Sequence, residues 1–171
     1  PDLLDSRSVS ILLEKLFPIP VLEEYWIQKF LASTSARYPM ETLDFFKKRV
    51  MHAASTEDYA FRPCNYGPYV HEPLRFTESA AFEGFCKDVW SWMRAGDNDD
   101  HKFQYFASHL FCAVFSATDD RTLSFMRNKC SGDSLDISLI GKILREADHS
   151  FSLDNPAFVV GYLTAAKSHG S

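Results

Sequence analysis

The sequence predicts an all-helical fold, read as a HEAT- or armadillo-like α-solenoid of about eight helices with one long aromatic, proline-rich loop. Three observations carry that expectation. Apolar residues recur at i, i+3, i+4 and i+7 through most of the chain, which is the period of a one-faced helix. No stretch longer than Tyr69-Val70-His71 reads as extended. Prolines and Asp/Asn/Ser clusters fall between the periodic segments, where helices start and stop.

The first helix is expected over Ser6 to Phe17, with Val9, Leu12, Leu13, Leu16 and Phe17 on its inner stripe. Pro18-Ile19-Pro20 stops it, and Pro20 suits the first position of a second helix reaching about Thr34. Leu22, Tyr25, Trp26 and Phe30 are expected on the inner side of that helix, with Lys29 snorkelling from its edge. The third helix opens at Pro39, faces Leu43, Phe46 and Val50 inward, and carries Lys47, Lys48 and Arg49 as a solvated basic end.

The segment from Tyr59 to Thr77 breaks this pattern. Pro63, Pro68, Pro73 and Gly67 forbid a long helix, while Tyr59, Phe61, Tyr66, Tyr69, Val70, Leu74 and Phe76 make it too apolar for a solvated linker. An ordered, packed loop is expected. Beyond it, Phe82, Phe85, Cys86, Val89, Trp90 and Met93 mark a fourth helix, ended by Gly96 and an acidic turn. Phe103, Phe106, Ala107, Leu110, Phe111 and Val114 mark a fifth. Thr118-Asp119-Asp120 caps a sixth with Leu123 and Met126, and Ser131 to Ser134 breaks and recaps the chain before a seventh with Ile137, Ile140, Leu144 and Ala147. Asn155-Pro156 opens the last helix, carrying Phe158, Val159, Tyr162, Leu163 and Ala166, which Gly170 ends in a left-handed turn.

At 171 residues the chain is long enough for one domain with a sizeable core. The formal charge of −5 disfavours a nucleic-acid backbone as the main partner. No window approaches a membrane span, because charged residues interrupt every apolar run. Cys64, Cys86, Cys112 and Cys130 form no paired motif, so a zinc ribbon or redox motif is not expected, and a reducing cytoplasm is the simplest compartment. The chain opens on Pro1 and reads as a piece of a larger protein.

Chemistry-bearing motifs are sparse. His109 and Cys112 lie one helical turn apart, but no second ligand pair completes a metal site, and a packing role is expected for both. Asp97, Asp99, Asp100 and His101 lack the spacing of a calcium loop and read as a capping turn. There is no nucleophile elbow, no phosphate-binding glycine loop and no zinc-protease motif, since Pro73 breaks the helix that His71-Glu72 would need. No catalytic residue, metal or cofactor is therefore assigned. Tyr66, Tyr69, His71 and Arg75 in the aromatic loop are the candidate partner contacts, because tyrosine and arginine combine buried area with polar tips.

The segment LLEKLFPIPVLEEYWIQKFLASTSARYPMETLDFFKKRV is followed by the aromatic loop, a helix ending VWSWM, and ILREADHSFSLDNPAFVVGYLTAAKSHG. Together these resemble the C-terminal helical-repeat regions of large bacterial multidomain proteins. Such regions often lie downstream of a STAND-type ATPase module, and some of those proteins act as antiviral sensors. The resemblance implies a ligand-sensing or scaffold role with catalysis elsewhere, and it carries over no functional residue. The expected function is a non-catalytic module that binds a protein partner in the bacterial cytoplasm. The alternatives are a nucleic-acid-binding repeat using Arg37, Lys47, Lys48 and Arg49, and a small helical enzyme or ligand-binding domain with an unrecognised pocket.

Overall fold

The structure, a computed structural model, describes residues 4–58, 60–64, 72–96, 100–115, 119–147 and 149–170. These residues form helices α1 (Ser6–Leu16), α2 (Tyr25–Arg37), α3 (Pro39–Ser55), α4 (Phe82–Ala95), α5 (His101–Val114), α6 (Asp120–Lys129), α7 (Ser134–Glu146), α8 (His149–Asp154) and α9 (Pro156–Ser168). A 3-10 turn, Phe76–Glu78, precedes α4. Among the described residues there is no strand, and the fold is all-helical.

The helices pack in two rows. In one, α3 lies against α5, α5 against α7 and α7 against α9; in the other, the Phe76–Glu78 turn bridges α2 to α4, and α4 packs on α6. Contacts of α2 with α3, α4 with α5, and α6 with α7 join the rows, and α1 covers α3. The middle position of α5 explains why Gln104 and Ser108 are buried with Ala107, Leu110 and Phe111: α3, α4 and α7 enclose it.

Local chemistry sets most boundaries. Asp5, Asp119 and Asp133 cap α1, α6 and α7 by accepting the backbone N–H of Ser8, Arg121 and Asp136. Gly170, at φ 74°, follows α9 in the left-handed conformation expected of it. All six apolar positions expected on the inner face of α4 are buried.

Other expectations need correction. Pro20 does not open α2, which starts at Tyr25; residues 20–24 run outside any helix and bury Leu22. The inner face of α2 is Gln28, Leu31, Ala32, Thr34 and Ser35, while Tyr25 and Trp26 face solvent. Short hydroxyl side chains satisfy themselves there, as Thr34 and Ser35 donate to the carbonyls of Leu31 and Ala32. Leu12 and Leu163, placed inside by periodicity, are exposed. Asn155 stands at the N-cap position of α9 but makes no side-chain cap bond; its amide donates to the Phe151 carbonyl, and the short helix α8 precedes it.

The largest correction concerns Arg49, expected on a solvated basic end and found fully buried within α3. Its Nε donates to the Pro63 carbonyl at 3.0 Å, and Nη2 to those of Arg62 at 2.8 Å and Pro20 at 3.4 Å. Nη1 reaches the carbonyls of Phe17 at 2.6 Å, Ile19 at 2.8 Å and Leu16 at 3.4 Å. The guanidinium carbon stands 4.3 Å from the Phe61 ring centroid, a cation–π contact. Burial pushes the Arg49 pKa down to about 10, still well above neutrality, so the charge persists. The carbonyls at the end of α1 and the aligned dipoles behind them supply the negative potential a counterion would otherwise provide. Replacing Arg49 by Met should strand these carbonyls and cost about 3–5 kcal/mol in urea denaturation, whereas Lys48→Ala should cost under about 0.5 kcal/mol. Similar costs for the two substitutions would contradict this assignment.

Candidate functional site

Of the four candidate contacts, Tyr66, Tyr69 and His71 lie outside the described residues. Arg75 is described and exposed, with its guanidinium 4.0 Å from the Glu72 carboxylate and 3.9 Å from that of Glu78. Its backbone is fixed more firmly than its side chain: the Arg75 N–H donates to Ser35 Oγ at 2.8 Å. Two turns earlier on α2, Gln28 Oε1 accepts the Glu72 N–H at 3.4 Å. The return limb of the aromatic loop is therefore tied along the polar inner face of α2. At the other limb Phe61, Pro63 and Cys64 are buried beside Arg49.

The opposite side of α2 carries a patch that periodicity misassigned. Trp26 is 72% exposed and Tyr25 43%, their rings 5.1 Å apart edge to face. Lys29 Nζ lies 5.5 Å from the Trp26 ring and 5.8 Å from that of Tyr25. Periodicity turns Tyr25 and Trp26 inward because Gln28 and Ser35 are polar, but those two residues face inward to bond the loop backbone.

Two polar clusters lie between helices. Asp136, at the start of α7 and 6% exposed, accepts from Trp90 Nε1 at 2.8 Å and from Arg94, with Lys129 Nζ at 3.7 Å. Arg94 also forks onto Asp133 at 2.9 and 2.8 Å, and this bond holds the Asp133 carboxyl well below the usual carboxylate range. The cluster joins α4, α6 and α7 with its charges matched, so it reads as structural. The basic run is not a free patch either, because Lys47 pairs with Asp88 and Arg49 is interior.

Between α5 and α7, His109 Nε2 lies 2.9 Å from Glu146 Oε2, with the Tyr105 ring 4.4 Å from the imidazole. Cys112 is buried apart from this pair, its Sγ 3.7 Å from the Ile143 carbonyl. Among the described residues no group of three or more His, Cys, Asp or Glu side chains could hold a metal ion. Asp100 serves as the cap of α5, accepting from Lys102 and Phe103. Burial pushes the thiols of Cys64 and Cys86 up to about 12, which makes them poor nucleophiles. Among the described residues no helix is long and apolar enough to cross a membrane.

No family model, curated protein or solved structure matches the chain.

The His109–Glu146 pair gives a pH test. Burial lowers the His109 pKa below its ordinary value, outweighing the pull of Glu146. A group with a lowered folded pKa binds its proton more readily when unfolded. Its stabilisation is therefore complete above the unfolded value, about 6.5, and lost as pH falls through the folded value. His109→Gln should lose less melting temperature than wild type between about pH 7 and 5. Parallel Tm-against-pH curves for the two proteins would contradict the buried neutral imidazole.

Proposed function

We propose that this chain is a non-catalytic recognition or scaffold module that binds a protein partner, built as a HEAT- or armadillo-like α-solenoid. The observation that carries the reading is the solvent-facing Trp26–Tyr25–Lys29 patch on α2. Tryptophan and tyrosine dominate binding hot spots because they bury large area at little conformational cost. An exposed tryptophan leaves that area unrecovered unless a partner covers it. The row α3, α5, α7 and α9, with a second row packed across it, supports the solenoid reading, since repeat folds stack neighbour on neighbour.

By this reading the partner contacts α2 together with the loop tied to it, including Tyr66, Tyr69, His71 and Arg75. The likeness of its segments to the C-terminal regions of large bacterial multidomain proteins is the sole support for a cytoplasmic sensor setting beside a STAND-type ATPase module. Trp26→Ala and Arg75→Ala should each leave the melting temperature within about 2 °C of wild type, because both side chains face solvent. The pair combined should weaken capture of a partner from bacterial lysate about tenfold or more. Undiminished capture by the double variant would overturn the assigned surface.

A further inference from the structure

A second surface, between α1 and α3, has a chemistry that selects its occupant. Ser10, Leu13 and Glu14 of α1 and its C-cap residue Phe17 line one side, and Glu41, Asp44, Phe45 and Lys48 of α3 the other. Each set is spaced i, i+3, i+4, i+7, so each is a single helical face, and the two faces enclose a groove of about 410 Å³. Its floor is apolar: Leu13 and Phe45 are nearly buried and Phe17 half-buried. Its banks carry three carboxylates, Glu14, Glu41 and Asp44, against one ammonium, Lys48.

Among the described residues these carboxylates are not neutralised by ion pairs. Glu41 accepts a hydrogen bond from the Ser6 hydroxyl, a neutral donor. Glu14 and Asp44 are exposed. This differs from the Arg94 cluster, where each carboxylate meets a cation. The groove is thus an apolar trough with an unbalanced negative rim.

We propose that the α1–α3 groove is a docking site for a basic amphipathic helix of a partner protein. The proposal rests on the reading of this chain as a recognition module and names its partner class. A helix is favoured because two parallel-sided helical faces offer ridges and a trough into which a third helix packs. The span from Ser10 to Phe17 corresponds to about 10 Å along α1, or two turns of the incoming helix. Two or three leucine-sized side chains on one face would cover Leu13, Phe17 and Phe45. Lysine or arginine flanking them would meet Glu14, Glu41 and Asp44. An anionic partner, whether acidic protein or acidic lipid, is repelled by the same rim.

The test uses fluorescence anisotropy of a labelled leucine–lysine amphipathic peptide of about four turns. A peptide of identical composition, scrambled to remove the apolar face, is the reference. Wild type should bind the amphipathic peptide about tenfold or more tightly than the scrambled one, with affinity falling as salt rises. Ser10→Trp, which fills the trough without changing charge, should weaken binding about tenfold; so should Glu14→Lys/Asp44→Lys. Glu57→Lys/Asp58→Lys, an equal charge change elsewhere, should leave it within about twofold. Circular dichroism establishes that each variant is folded, and should Ser10→Trp fail, the charge-reversal pair decides. Equal binding of both peptides, equal weakening by both charge-reversal pairs, or no binding to wild type would overturn the proposal. If Trp26→Ala abolishes peptide binding while the groove variants do not, the groove is excluded and the recognition reading stands.

Discussion

The buried guanidinium of Arg49 is the constraint on which the N-terminal part of the molecule depends. Three chain segments meet at it: the last residue of α1, residues 17–20, and the first limb of the aromatic loop. Each brings carbonyls into buried or part-buried bonds with the guanidinium, and a buried carbonyl left unpaired is expensive. A planar group with five N–H donors serves segments arriving from several directions, where an ammonium with three donors would leave acceptors unfilled. The backbone bond from Arg62 N–H to the Pro20 carbonyl, at 2.8 Å, then joins two of these segments directly.

The consequences extend to both proposed surfaces. Holding the end of α1 against α3 sets the spacing between their faces, and with it the width of the acidic trough. Phe17, His52 and Phe61 form a run of ring contacts beside the guanidinium, so the floor of the trough and the clamp share a side chain. On the other limb, Ser35 and Gln28 fix the returning loop to α2 by hydrogen bonds to its backbone, which frees the Arg75 side chain to face outward. Loops held by their backbone over a helical scaffold keep their side chains available for recognition.

How much of this was legible in the sequence follows from how each helix is enclosed. The face of α4 was readable because one contiguous stripe of large apolar residues admits a single orientation. That of α2 was not, because its inner face includes Gln28 and Ser35, which bond loop residues distant in sequence, and Thr34, which satisfies its hydroxyl within the helix. Arg49 stands three and four residues after Phe46 and Phe45, on the buried arc of α3; residue type concealed what spacing showed. The helix α8 is six residues long, too short for a period to declare itself. On α9 the small and apolar residues run around much of the helix, so periodicity could not tell Phe158 and Ala166, which are buried, from Leu163 and Val160, which are not. Of the proposed surfaces, the loop's composition was visible in sequence. The trough was not, because it requires α1 and α3 to be set side by side.

Amide hydrogen exchange on wild type and Arg49→Met tests the central role of this residue most directly. Exchange should accelerate together in residues 16–20 and 60–64, including the Ile19 and Arg62 amides that bond to Leu16 and Pro20. The amides of α7 should keep their protection under the same conditions, since α7 packs on α5, α9, α4 and α6. Undiminished protection at both Ile19 and Arg62 in the variant would contradict the account, because these segments would then be held by something other than the buried guanidinium.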